Sequence, residues 1–230
     1  MKIRVVIRRQ KDAGSKKYLE EYLLDAAPGD SVIQVLEAVN LQTDDPVVWE
    51  CSCKQNMCGA CAMIINGIPR LACSTFIRDI CSVKDPVVRL APLSKFPVVK
   101  DLRVDRSALS DDQKKLRVWL DTAAEEDSLD AALQYLSASC MQCGCCLEVC
   151  PNYSVTNAFT GAAGMHAVYR VVTQQEHNAL SRQRLRDVSR QGLGHCSRSL
   201  SCETVCPMHI PHAVILSKLN RLNLRSFFWK

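Results

Sequence analysis

Eleven of the fourteen cysteines in this 230-residue chain fall into three spaced runs, and those spacings leave few folds open. Cys53, Cys58, Cys61 and Cys73 read C-x4-C-x2-C-x11-C. Cys140, Cys143, Cys146, Cys150 and Pro151 read C-x2-C-x2-C-x3-C-P, and Cys196, Ser199, Cys202, Cys206 and Pro207 repeat that template with serine at its second cysteine. The first spacing is that of a plant-type [2Fe-2S] loop; the second is the bacterial ferredoxin run, whose fourth cysteine serves the other cluster of a pair.

The swap rule assigns the ligands. Cys140, Cys143, Cys146 and Cys206 make four thiolates, enough for [4Fe-4S]; Cys150, Cys196 and Cys202 make three, enough for [3Fe-4S], with Ser199 as the missing corner. Cys53, Cys58, Cys61 and Cys73 are left for [2Fe-2S], where Gly59 lets the backbone curl close and aim N–H groups at the cluster. Losing one anionic thiolate eases reduction, so electrons are expected to favour the three-iron site. Zinc also takes C-x2-C pairs, but it accounts for neither the eleven spaced ligands nor the serine gap. Cys51, Cys81 and Cys145 are left over and are expected as ordinary buried thiols. Cys51 could replace Cys53 only by lengthening the first spacing to x6.

So many thiols suggest a disulfide scaffold only in a short secreted chain. "MKIRVVIRRQ" moves straight into an alternating pattern without a leader, so a reducing, cytoplasmic compartment is expected. No apolar run approaches the roughly 18 residues that span a bilayer, so membrane contact is expected through a partner. The net charge of +5 is modest. Its densest basic run, "SRQRLRDVSR", reads as a solvated helix face, with docking to an acidic protein surface or anionic headgroups as the alternative, and not as a nucleic-acid surface.

Periodicity places these runs on elements. Ile3, Val5 and Ile7 alternate as a strand, "YLEEYLL" returns as a second, and Ser31 with Gln34 forms a capping box ahead of a helix carrying Val32, Val35, Leu36 and Val39. A short strand pair should turn at Asn66 and Gly67. "VVRLAPLSKFPVVKDLRVDRS", with Pro92 and Pro97, is expected as an extended connector, which places a domain boundary near Val104. Ser110 and Gln113 suggest another capping box, for a helix with Leu116, Trp119, Leu120 and Ala123 on one face. "SLDAALQYLSAS" should form a helix leading into Cys140.

Taken together, "CGACAMIINGIPRLAC", "LSKFPVVKDLRVDRS" and the order of the three runs resemble the iron-sulfur subunit of succinate dehydrogenase and quinol:fumarate reductase over nearly the whole chain. The resemblance implies an α+β chain: an N-terminal β-grasp plant-type [2Fe-2S] ferredoxin domain, residues 1–104, and a C-terminal all-α bacterial-ferredoxin-like domain, residues 105–230. It implies three clusters acting as a wire between FAD of a flavoprotein that interconverts succinate and fumarate and quinone at a membrane anchor. The partners implied are that flavoprotein, anchor subunits with or without haem, and quinone; the location implied is the inner face of the cell membrane. Cys61 stands where some relatives carry aspartate, which favours a full-thiolate first site. Lys54 replaces a frequent arginine, and "NYSVTN" replaces an aromatic cluster. By position, Pro151, Ser197 and Lys218 would lie nearest quinone, and Ser197 stands where some relatives carry histidine. His195 is near enough to supply a proton there, with solvent exposure the plain alternative for it as for His209 and His212. The same relay could serve a flavoprotein that reduces another unsaturated carboxylate, and a free ferredoxin-like carrier or a redox-sensing regulator is the competing class.

Overall fold

The computed structural model describes residues 1–82, 84–124, 130–175 and 178–228. The chain divides into two compact units, Met1–Arg106 and Ser107–Lys230.

The first unit is a mixed sheet crossed by one helix. Strands β1 (Lys2–Arg9) and β2 (Tyr18–Asp25) pair antiparallel, from Lys2 with Asp25 to Arg9 with Tyr18. Helix α1 (Val32–Asn40) begins at Ser31, whose side chain and that of Gln34 make the reciprocal capping box foreseen in the sequence. Val32, Val35, Leu36 and Val39 are buried on its inner face, each such side chain stabilising the unit by about 1.5–3 kcal/mol. Strands β3 (Ala62–Ile65) and β4 (Ile68–Leu71) join through Asn66 and Gly67, both at positive φ, as a two-residue hairpin requires. A short helix, α2 (Ile77–Ile80), follows.

One expectation fails here. "VVRLA" is not connector but strand β5 (Val87–Ala91), which lies between β1 and β3 in the order β2-β1-β5-β3-β4 and runs parallel to β1. Val87, Val88 and Leu90 are buried, and Pro92 ends the strand without interrupting it. The rest is folded back as well: β6 (Val98–Lys100) and β7 (Arg103–Val104) pair around Asp101. That carboxylate accepts from Arg9 Nε at 2.9 Å and from the N–H groups of Gln10 and Val48.

The second unit is helical among its described residues. Helix α3 spans Ser107–Lys115 and α4 spans Ala131–Ala138; Ser128 and Leu129, expected at the start of α4, lie outside the described residues. The four-residue α5 (Cys145–Glu148) precedes the central α6 (Gly161–Thr173), followed by α7 (Ala179–Gln191), the four-residue α8 (Ser201–Thr204) and α9 (His212–Arg225). Val168, Tyr169 and Val172 of α6 meet Leu185 and Val188 of α7 and Ile215 and Leu219 of α9 in one apolar cluster.

The expected helix through Leu116–Ala123 is absent: α3 starts earlier, with Ser110 inside it, and stops at Lys115. Arg117 takes φ +55°, and Trp119 and Leu120 are exposed. The cause lies on α7. Arg184, fully buried, donates to the carbonyls of Arg117 (2.8 Å) and Trp119 (2.5 Å) and to Asp121 Oδ1 (2.9 Å), taking the acceptors a helix would use. The basic run is therefore only partly a solvated face.

Candidate metal centres

The loop between α1 and β3 carries Cys53, Cys58 and Cys61. Lys54, Asn56 and Gly59 all take left-handed backbone, at φ +55°, +60° and +70°, and this alternation turns successive N–H groups inward. Cys53 Sγ accepts from the N–H groups of Gln55 (3.5 Å), Met57 (3.3 Å) and Cys58 (3.3 Å), and Cys58 Sγ from that of Cys53 (3.5 Å). Cys73, beyond the hairpin, closes on the same loop: its Sγ accepts from Asn56 N–H at 3.4 Å. Cys61 is buried at the head of β3, with its carbonyl held by Ala72 N–H. Arg106 braces the loop from behind, donating to the carbonyls of Gly59 and Ala60 and to Glu50. Lys54 pairs with Glu37 at 2.7 Å.

These surroundings set the thiols apart. The N–H groups of Gln55, then Met57, pull Cys53 down to about 7, whereas burial pushes Cys61 up to about 12. An N–H cradle around sulfur suits an anionic thiolate, and a soft metal centre converts a buried thiol to thiolate outright.

The two runs of the second unit have the same local shape. After Cys140, Gln142 is at φ +53° and Gly144 at +88°, and α5 follows; after Cys196, Arg198 is at +59° and Leu200 at +56°, and α8 follows. In each run the first sulfur accepts from the N–H two residues on, Gln142 to Cys140 and Arg198 to Cys196, both at 3.4 Å. Ser199 thus occupies the position that Cys143 holds in the other run, on an equivalent backbone. A leucine in left-handed conformation costs about 1–2 kcal/mol, a strain that marks Leu200 as part of a shaped loop.

Cysteines gather by cavity and not by run. One cavity is lined by Cys140, Cys143, Cys146 and Cys206; another by Cys150, Cys196, Cys202 and Ser199. In the first, Cys143, Cys146 and Cys206 are buried, and burial pushes Cys140 up to about 11 and Cys146 well above its ordinary range. The second lies nearer the surface, since Ser197, Ser199 and Leu200 of its lining are exposed. Four soft donors around one space and three around the other fit cuboidal clusters; a serine hydroxyl is a poor fourth ligand to soft iron-sulfur iron.

Of the leftover cysteines, Cys145 is fully buried as expected, pushed up by its contact with Cys143 and by burial; Cys51 and Cys81 are half-buried, and Cys81 Sγ meets the Val87 carbonyl at 3.6 Å. Of the three quinone-side residues, Ser197 lines the second cavity, Pro151 is exposed just after Cys150, and the Lys218 ammonium is held by Asp130. His195 and His209 are exposed, but His212 is buried, because α9 begins with that ring turned into the core. His166, which the sequence reading passed over, is 2% exposed on α6 and lines both cavities, as does His212. Its one sequence signal was a lone imidazole in the otherwise apolar run "GAAGMHAVY". Burial drives His166 down to about 3 and His212 to about 4.

Among the described residues, no helix is long and apolar enough to cross a membrane.

Comparison with known proteins converges on these loops. Residues 2–111 match a family described as a 2Fe-2S iron-sulfur cluster binding domain, and residues 137–210 one described as a 4Fe-4S dicluster domain. The succinate dehydrogenase iron-sulfur subunit of Bacillus subtilis is 35% identical over 98% of this chain and 94% of its own. The fumarate reductase iron-sulfur subunit of Wolinella succinogenes is 29% identical over 95% of each. A chain of the Mycobacterium smegmatis Sdh1 complex superimposes with a TM-score of 0.82 over 99% of this chain and 98% of that one; at 22% identity it speaks to the fold.

Proposed function

We propose, from the premise that this chain belongs to the family of iron-sulfur subunits of succinate dehydrogenase and fumarate reductase, that its eleven motif cysteines hold the three clusters of an electron relay. The chain is the electron-transfer subunit of that oxidoreductase, working between a flavoprotein subunit and a membrane anchor, and it makes and breaks no substrate bond itself. Its cofactors are [2Fe-2S], [4Fe-4S] and [3Fe-4S]. Each supplies reversible one-electron storage when bound.

The residues divide the work. Cys53, Cys58, Cys61 and Cys73 hold the two-iron cluster, and the N–H groups of Gln55, Asn56, Met57 and Cys58 soften its charge. Cys140, Cys143, Cys146 and Cys206 hold the four-iron cluster in the buried cavity. Cys150, Cys196 and Cys202 hold the three-iron cluster, and Ser199 keeps the fourth corner open. The shallower burial of this last site suits the quinone end of the relay, with Ser197 and Pro151 beside it and Lys218, whose ammonium pairs with Asp130, as the third quinone-side residue. FAD belongs to the flavoprotein, and quinone binds where the three-iron site meets the anchor. The chain then sits peripherally on the cytoplasmic face of the cell membrane, held by its partners.

The observation that carries the ligand assignment is the exchange of fourth cysteines: Cys206 lines the cavity of the Cys140 run, and Cys150 that of the Cys196 run. The test is a crossed pair of substitutions in the complex purified from its host. Cys206→Ser should remove the four-iron EPR signal and spare the three-iron one, and Cys150→Ser should do the reverse. If each change removes the cluster of its own run, the exchange is wrong.

A further inference from the structure

We propose that His166 and His212 form a wall shared by the two cavities of the second unit and donate N–H hydrogen bonds to the cluster sulfides on either side, raising the reduction potentials there. The inference rests on the reading of those cavities as cluster sites.

Three observations lead to it. The rings lie side by side, 5.3 Å between centroids and 31° between planes, with His166 on α6 and His212 on the first residue of α9. Both line the Cys140 cavity and the Cys196 cavity. And His166 Nδ1 and His212 Nε2 are buried with no hydrogen-bond partner among the described residues.

An unmet buried polar nitrogen costs about 1–3 kcal/mol, and two on adjoining rings in a largely apolar core call for partners, which a cluster sulfide supplies to the tautomer protonated at that nitrogen. Most side chains around them, such as Ala163, Met165, Ile210 and Ile215, are apolar; Ser197, Ser199 and Gln142 also line the cavities, and Glu203 accepts from Ala213 N–H beside His212, yet none of these bonds either nitrogen. A cluster sulfide needs only one N–H, and an imidazole carries at least one in either charge state. Hydrogen bonds to cluster sulfur favour the more negative, reduced state. The rings exchange neither protons nor electrons in this role; they set how electrons divide between the clusters.

The test uses the intact complex purified through this subunit. With histidine labelled in 15N, pulsed EPR on the reduced four-iron and oxidised three-iron signals should show 15N hyperfine coupling in both. In redox titrations, His166→Leu and His212→Leu should each lower the potential of the cluster whose sulfide loses its N–H by about 59 mV, about tenfold in a one-electron couple. His166→Asn places an amide nitrogen near Nδ1, and His212→Gln places one near Nε2, so each should restore most of the change. The proposal is overturned if the leucine variants keep their clusters and potentials, or if Asn and Gln shift them as far as Leu does. Should the leucine variants lose iron, the labelled parent decides, and absence of 15N coupling overturns it. Absence of both cluster signals from the parent overturns the cavity assignment beneath it.

Discussion

On the proposed ligand assignment, Ser199 would set a cofactor without disturbing the backbone. Its loop repeats the left-handed positions around Cys143, and Ser201 Oγ lies 3.4 Å from its hydroxyl. The backbone is thus already shaped for a thiolate, and only the sulfur is missing. Ser199→Cys should convert the three-iron centre to a four-iron centre, adding one iron per subunit and lowering the potential as thiolate charge is restored. Iron analysis with redox titration checks this, and unchanged iron and potential would refute the ligand set. The grouping of cysteines around each cavity was open to sequence reading, because it follows the spacing of the runs. The histidines were not. His166 and His212 belong to no template, and only packing shows that two rings 46 residues apart in sequence meet between two cavities.

At the scale of elements, local rules succeeded where a segment answers mainly to itself. The Ser31 and Gln34 box and the Asn66-Gly67 hairpin formed as read. They failed where a distant residue decides. β5 became a central strand because β1 and β3 flank it, although its sequence runs into two prolines. The segment after α3 lost its helix to Arg184, 67 residues away from Arg117. That last interaction is testable. Burial raises the Asp121 carboxyl, but hydrogen bonds from Arg184, Gln175 and Asn178 outweigh it and leave the group below its ordinary value. A carboxylate lowered in the folded state stabilises above its unfolded value of about 4, and the contribution fades as pH falls through the folded one. Asp121→Asn should therefore lower the melting temperature modestly near neutral pH, with the gap to the parent closing below about pH 4. Melting temperatures of both proteins across that range check it; a gap independent of pH would contradict it.

At the scale of the whole molecule, the chain joins a sheet-borne loop suited to two irons with a helical unit that holds two cysteine cavities. The thiols in these sites lie in N–H cradles or in apolar cavities, which tune potential, and the chain depends on partners for substrate and membrane. The cysteine runs announced this division of labour, and the fold supplied the different depths of the two helical sites. The central claim is that electrons from succinate, or bound for fumarate, pass through these clusters. Anaerobic EPR on the complex captured through this subunit, before succinate, after it, and after fumarate, tests that most directly. The account predicts an oxidised three-iron signal that fades and a reduced two-iron signal that appears with succinate, both reversed by fumarate; three clusters indifferent to either dicarboxylate would contradict it.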